Sequence, residues 1–335
     1  MLEATKYIKR LANTDSSNEK KAIIREAAVE GCVEFFEGFQ LAYNKIRIFG
    51  IKKVPVIEGD FTEAELQESS ETFNWNEFLA MIHKLESKEI EGETANQVFH
   101  LAANVVCIDD WNHFYRPILL KDMKCGVRET TVNKVLQEMG DDARQYLTPI
   151  WAIQTADIAK DISGKKAIDP LLSGTRLITV LDINVKTIRM FTKKGKETNN
   201  FANIIKGLEE LLPSIPVSLV LDGMIVNQNF QGQKADCYAL FDLLPLEDFE
   251  AGICPMTQMD RHDGLVELQG FFQEHTDGSV YVLPKLMVDL DIEADREKMK
   301  DFGPCVIKDP EAPYIGGATQ NWLKMIGEDN VIKTM

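Results

Sequence analysis

Near residue 148 the apolar residues stop recurring at helical spacing and begin to alternate, and this change of period constrains the chain more than any single motif. Before it, Ser16 and Glu19 stand as a capping box, and Ile23, Ile24, Ala27, Ala28 and Cys32 follow at i, i+3, i+4 intervals, which predicts one long helix to about Tyr43. Asn74 and Glu77 open a second helix through Phe78, Leu79, Ile82 and Leu85, and Thr94 starts a third. The stretch 50–70, with Pro55, Gly59, Glu63, Glu65 and Glu68, has no sustained period and reads as a loop. After the change, 177–181 and 186–191 flank a turn and read as a β-hairpin, while 217–221, 225–226, 238–241, 280–283 and 305–308 add strands. Helices are expected at 203–212 and 293–301. A length of 335 residues, at roughly 150 per domain, fits two domains. The fold class is therefore an all-helical domain over 1–148, followed by an α+β domain over 149–335 built on antiparallel sheet.

Charge and cysteine usage narrow the function classes. The net charge is -16, divided as -7 over 1–150 and -9 over 151–335, so neither half attracts nucleic-acid phosphates as a whole. Contact with DNA has to come from local basic groups. One such group is Lys121, Lys124, Arg128 and Lys134, placed around an expected helix junction in which Gly126 ends one helix before the next begins. Cys32, Cys107, Cys125, Cys237, Cys254 and Cys305 form no close pair, and no two of the five histidines stand at i, i+4, so neither a disulfide framework, a disulfide-linked partner nor a metal site is signalled. No apolar run reaches the roughly 18 residues of a membrane helix, and the N-terminus lacks a signal-peptide layout. A cytoplasmic protein with no membrane partner is the expectation.

Several segments, in order, resemble the ATP-dependent DNA ligases, particularly the phage-type enzymes with a helical DNA-binding domain ahead of a nucleotidyltransferase (adenylation) domain. Lys121 to Leu136 is similar to the family's helical-domain signature. Phe241 to Leu246 resembles the motif whose aromatic ring stacks on adenine. Lys308 to Tyr314 and Asn321 to Lys324 resemble the two late motifs of the adenylate pocket. The first motif, acid-x-Lys-x-Asp-Gly-x-Arg in the family, keeps Asp169, Gly174 and Arg176 but has Leu171 for the nucleophilic lysine and Ser173 for the aspartate. In the third motif Asp222 remains and Met224 replaces a glutamate. Gly303 stands in place of the glutamate of the fourth motif, and Ile326 in place of the second lysine of the fifth. The turn from Thr192 to Glu197 is similar to the family's Arg-Asn-Gly-Lys turn with its first two residues changed.

What the resemblance implies is a fold without its chemistry. A ligase lysine attacks the α-phosphate of ATP through a lone pair, and the alkyl chain of Leu171 has none. Loss of cations at 171 and 326 together with anions at 173, 224 and 303 is how a site is neutralised as a unit, since removing one partner of a buried pair costs about 3–5 kcal/mol whereas replacing both need not. No cofactor and no metal are expected, although Asp169 and Phe241 leave a cleft for ATP or AMP as an alternative. The chain ends soon after the fifth motif, so an OB-fold domain is not expected. The expected function is a catalytically inactive ligase-like scaffold, in a phage or viral context (host cytoplasm or virion), with duplex DNA or a protein assembly as partner. A protein-interaction subunit with no nucleic-acid role is the alternative. A working ligase with Lys165 or Lys166 as displaced nucleophile is a second, against which a solvated turn after Gly164 is the expected role of those lysines. His262 is expected in a surface polar turn.

Overall fold

Apolar side chains at positions 4, 7, 8 and 11 give helix α1 (Glu3–Ala12) one buried stripe, and the computed structural model repeats this arrangement through its first 150 residues. Residues 1–58, 73–103, 105–158, 162–230 and 233–325 are described. The chain divides into two units, Met1–Ile150 and Trp151–Met335.

In the first unit, α2 (Ser17–Val29) and α3 (Val33–Tyr43) replace the single long helix read from the spacing. Gly31 takes a left-handed φ of +67°, and the Cys32 amide turns back to the Ala27 carbonyl at 3.0 Å, which closes α2. The capping box at Ser16 is half made. Its hydroxyl accepts from the Glu19 amide, but the Glu19 carboxylate is taken by the Thr14 hydroxyl. At α4 (Trp75–Glu86) the box is complete: the Asn74 side chain accepts from the Glu77 amide at 3.2 Å, and Glu77 accepts from the Asn74 amide at 2.8 Å. Helix α5 (Gly92–Ala103) follows, then the contiguous pieces Ile108–Asp110, the π-helical Trp111–Tyr115 and Arg116–Leu119, and finally α6 (Glu129–Met139). Gly126 does not end a helix. That helix stops at Leu119, and Gly126 (φ +67°) lies in the turn that leads to α6. Phe35, Phe36, Phe39, Phe78, Trp111 and Phe114 fill the core these helices share. Of the expected loop over 50–70, residues 50–58 carry no helix or strand, and 59–70 lie outside the described residues.

The second unit is built on two sheets and a short ribbon. Five strands run in the order β1 (Gln154–Ile158), β13 (Gly317–Met325), β11 (Cys305–Lys308), β2 (Lys165–Pro170) and β10 (Leu286–Asp289). Six run β5 (Glu197–Thr198), β4 (Thr187–Thr192), β3 (Thr175–Asp182), β6 (Leu219–Phe230), β7 (Gln233–Pro245) and β9 (Val280–Val282). Pairing is antiparallel except for one parallel pair at a sheet edge in each, β1 with β13 and β7 with β9. The ribbon joins β8 (Ile253–Cys254) to β12 (Tyr314–Ile315). Helices α7 (Ala202–Glu209), α8 (Leu246–Ala251), α9 (Gln258–Glu267), α10 (Gln269–His275) and α11 (Glu293–Phe302) complete the unit, with Ile204, Leu208, Leu265 and Phe272 packed against Leu177, Leu221 and Tyr238 of the six-stranded sheet. The expected hairpin is β3–β4, paired from Leu177–Thr192 to Asp182–Thr187. Lys165 and Lys166 begin strand β2, so the turn expected there is a strand instead.

The chain crosses from the five-stranded to the six-stranded sheet through Leu171–Gly174, between β2 and β3, and crosses back through Leu283–Lys285, between β9 and β10. Gly174 is required at the first crossing. A Cβ there would lie 2.0 Å from the Ile225 carbonyl oxygen.

Candidate functional site

A cleft of about 760 Å³ opens between residues of the two sheets, within the size range of small-ligand sites. Its lining includes Asp169, Leu171, Gly174, Arg176, Met224, Phe241, Lys308 and Lys324, so residues read from five separate sequence segments converge on one concavity. Ser173, Asp222 and Gly303 are not in the lining. Ser173 is exposed on the crossing, Asp222 is buried behind Arg176, and Gly303 precedes β11 with a left-handed φ of +75°. Ile326 lies outside the described residues. Leu171 is half-buried, and its amide donates to the Pro304 carbonyl at 3.0 Å, which ties the crossing to the start of β11.

Two buried charge clusters form the inner wall. In the first, both oxygens of Asp169 accept from Lys285 Nζ, at 2.7 and 2.9 Å, and Oδ2 also meets Lys308 Nζ at 2.7 Å. All three side chains are nearly inaccessible. Burial pushes the Asp169 carboxyl up, but Lys308 and Lys285 outweigh it and hold the group below the ordinary carboxylate value. Burial, reinforced by Lys308, pulls the Lys285 ammonium down to about 8 against the opposing pull of Asp169. Lys308 Nζ also sits 4.0 Å from the Trp322 ring centroid and 4.9 Å from that of Phe241, and it donates to the Phe241 carbonyl at 3.3 Å. In the second cluster Arg176 Nε and Nη2 form a fork on the two oxygens of Asp222, with Nε–Oδ1 at 2.8 Å, and Nη2 donates to the Gln154 carbonyl at 2.8 Å. The Arg176 guanidinium lies 5.4 Å from the Phe241 centroid and 5.7 Å from that of Trp322.

The sequence reading missed Lys285. Nothing local marks it, and only the second inter-sheet crossing carries it to Asp169. Lys193 and Lys194, from the turn between β4 and β5, are exposed and also line the cleft. The lining thus carries five cations, Arg176, Lys193, Lys194, Lys308 and Lys324, against the single carboxylate of Asp169, in a chain whose net charge is -16.

The basic group of the first unit is smaller than its sequence suggests. Lys121 turns inward: Nζ donates to the carbonyls of Leu41, Asn44 and Arg47 at 2.6, 2.8 and 2.8 Å and lies 4.9 Å from the Phe49 centroid, so it closes the C-terminal end of α3. Its three donors are spent on backbone carbonyls, where a phosphate contact is the expectation from sequence. Lys124 is exposed and paired with Asp122 at 2.7 Å. Arg128 is exposed, 5.4 Å from the Tyr43 centroid and 3.5 Å from Glu129. Lys134 is exposed on α6. Its neighbour Asn133 is internal, where its amide pairs with the Thr148 backbone in both directions at 2.8 and 2.9 Å.

Two further residues differ from expectation. His262 lies on α9 and is buried, not in a surface turn, and its Nδ1 has no partner. Burial, reinforced by Lys285, holds it below the usual imidazole value. Lys165 is exposed and Lys166 lies 3.8 Å from Asp309; neither lines the cleft. All six cysteines are free thiols. No helix among the described residues is long and apolar enough to cross a membrane.

No family model and no curated protein matches the chain. Among solved structures, "Pmar-Lig_Pre." is similar at 29% identity and a TM-score of 0.52, over 98% of this chain and 78% of that one. "Pmar-Lig_PreS3" has the same identity and coverage at a TM-score of 0.50. The ATP-dependent DNA ligase of bacteriophage T7, in complex with ATP, is 15% identical at a TM-score of 0.41, over 53% of this chain and 69% of that one. In its helical first unit, its two-sheet second unit and the convergence of its motif residues on one cleft, the chain has a fold similar to that of the ATP-dependent DNA ligase type.

Proposed function

We propose that this ligase-type chain does not transfer adenylate and serves as a DNA-binding scaffold in a phage or viral setting. The observation that carries the proposal is Leu171 at the crossing where the family's nucleophile stands, lining an open cleft whose two innermost lysines, Lys285 and Lys308, are already engaged by Asp169. Both side chains are nearly inaccessible and turned onto Asp169, so neither is positioned to attack a phosphorus atom in the cleft. Lys165 and Lys166 do not line the cleft, which argues against a displaced nucleophile, since positioning supplies several kcal/mol of such a barrier. Incubation with α-labelled ATP and magnesium leaves the protein unlabelled, and a covalent protein-AMP band would overturn the proposal.

DNA is favoured as partner by Lys193, Lys194 and Lys324 of the cleft lining and by exposed Lys124, Arg128 and Lys134. Fluorescence anisotropy with a nicked duplex across a salt series gives affinity that falls as salt rises. A flat response at low salt removes DNA and leaves the protein-assembly reading, which the charge of -16 and the inward turn of Lys121 support.

A second reading concerns the cleft itself. It stays open at about 760 Å³, with the Phe241 ring on its wall beside Arg176 and Lys308. An aromatic face beside several cations suits a nucleoside phosphate held without covalent chemistry. Equilibrium binding of AMP to the full chain tests it, and absence of binding at millimolar nucleotide removes it.

A further inference from the structure

The ligase fold implies a divalent cation beside the nucleotide phosphates, and the residues present do not fit one. A hard cation takes carboxylate or carbonyl oxygens with lone pairs free to face it. Both oxygens of Asp169 are bonded to ammonium groups, and both oxygens of Asp222 to one guanidinium. Asp242 is wholly buried against Arg261, with Nε–Oδ1 at 2.8 Å. The three positions that would supply further carboxylates hold Ser173, Met224 and Gly303. Among the described residues no cluster of three His, Cys, Asp or Glu side chains could hold a metal. A divalent ion entering the cleft would meet Lys193, Lys194 and Lys324, together with Arg176 and Lys308 on their carboxylate partners, and no carboxylate with oxygens turned to the ion.

We propose that the cleft binds a nucleoside phosphate by direct contact with its own cations and without a divalent metal, so that magnesium weakens binding. The proposal rests on the second reading given above, in which the cleft is a noncovalent nucleotide site. Lys193 and Lys194 project from the turn after β4, and Lys324 enters from β13 on the other sheet, so an anion between them meets positive charge from two sides. Lys308 and Arg176 keep their carboxylate partners and set the positive inner wall against which the aromatic ring of Phe241 lies. In a metal-dependent site the ion bridges an anionic protein wall to an anionic ligand. Here the wall is already of opposite sign to the ligand, and a magnesium ion complexed by the phosphates lowers the charge that the lysines recognise.

The test is titration calorimetry of the full chain with AMP and with ATP, each in EDTA and in excess magnesium. Binding in EDTA that weakens on adding magnesium, more for ATP than for AMP because the triphosphate holds the ion more tightly, supports the proposal. Binding that appears only with magnesium overturns it while leaving the nucleotide reading standing. No binding in either buffer removes the nucleotide reading and the inference with it. Two variants make the sign readable. Lys193→Ala, in an exposed turn, lowers affinity in EDTA by about tenfold, the loss of one charge-assisted hydrogen bond. Met224→Glu returns a carboxylate to the cleft lining, and magnesium then weakens binding less than in the parent. An unchanged magnesium response in Met224→Glu, with the fold intact by circular dichroism, also overturns the proposal.

Discussion

Replacing Asp169 by Asn leaves two ammonium groups facing each other across a site with almost no water. Lys285 and Lys308 are each 1% exposed at the side chain and Asp169 3%, so solvent screening does not soften the loss. Removing one partner of a buried ion pair costs about 3–5 kcal/mol. For a unit of 150–250 residues that amounts to a fall of roughly 2–4 °C in Tm for each kcal/mol. Asp169→Asn is therefore expected to lower the denaturation midpoint of the full chain far more than a surface change, with Trp322, whose ring centroid is 4.0 Å from Lys308 Nζ, as the fluorescent reporter. Removing Lys285 as well, in Asp169→Asn/Lys285→Met, takes away one of the two stranded cations and recovers part of the loss. The pH dependence follows from Lys285. Its folded value is about 8 against an ordinary 10.5, so between these limits the unfolded chain holds a proton that the folded chain has released, and stability rises with pH across that window. Lys285→Met abolishes the rise. The reasoning is refuted if Asp169→Asn unfolds within 1 kcal/mol of the parent, or if the double variant is as unstable as the sum of the singles.

Lys121→Met leaves the carbonyls of Leu41, Asn44 and Arg47 without their donor and costs roughly 2–4 kcal/mol in chemical denaturation, while the DNA affinity of the folded fraction stays unchanged. Arg128→Ala has the opposite profile: little change in stability, and a shallower salt dependence in anisotropy if DNA is bound. Gly174→Ala forces a methyl group to 2.0 Å from the Ile225 carbonyl oxygen, and a loss of at least about 1–3 kcal/mol, or no soluble protein, is the expected reading of an expression and denaturation assay. Leu171→Lys restores the amine but none of the carboxylates, and labelling with α-labelled ATP still yields no adduct; a labelled band would show that the lysine alone was missing.

The change of apolar period near residue 148 was enough to separate a helical half from a sheet half, because helix and strand periods are local properties of the backbone. Strand β11 was legible to the residue, and so was the complete cap at Asn74, since both depend on neighbours a few residues apart. The break between α2 and α3 was written in Gly31, but the continuous apolar spacing on either side masked it. The motif residues are named by the sequence itself, and Leu171 establishes the absence of an amine at that position. What charge each position presents, and to which partner, was not legible. Lys121 sits in a basic run and still points inward, because the backbone carbonyls of Leu41, Asn44 and Arg47, in and just after the last turn of α3, take its donors. Lys285 carries no motif, and only the crossing from β9 to β10 brings it to Asp169, 116 residues away. Sequence alone determined which chemical groups the chain possesses. The tertiary structure decided which of them neutralise one another and which remain to meet a ligand, because charge pairing depends on distance through space and on burial, and neither is a property of neighbours along the chain.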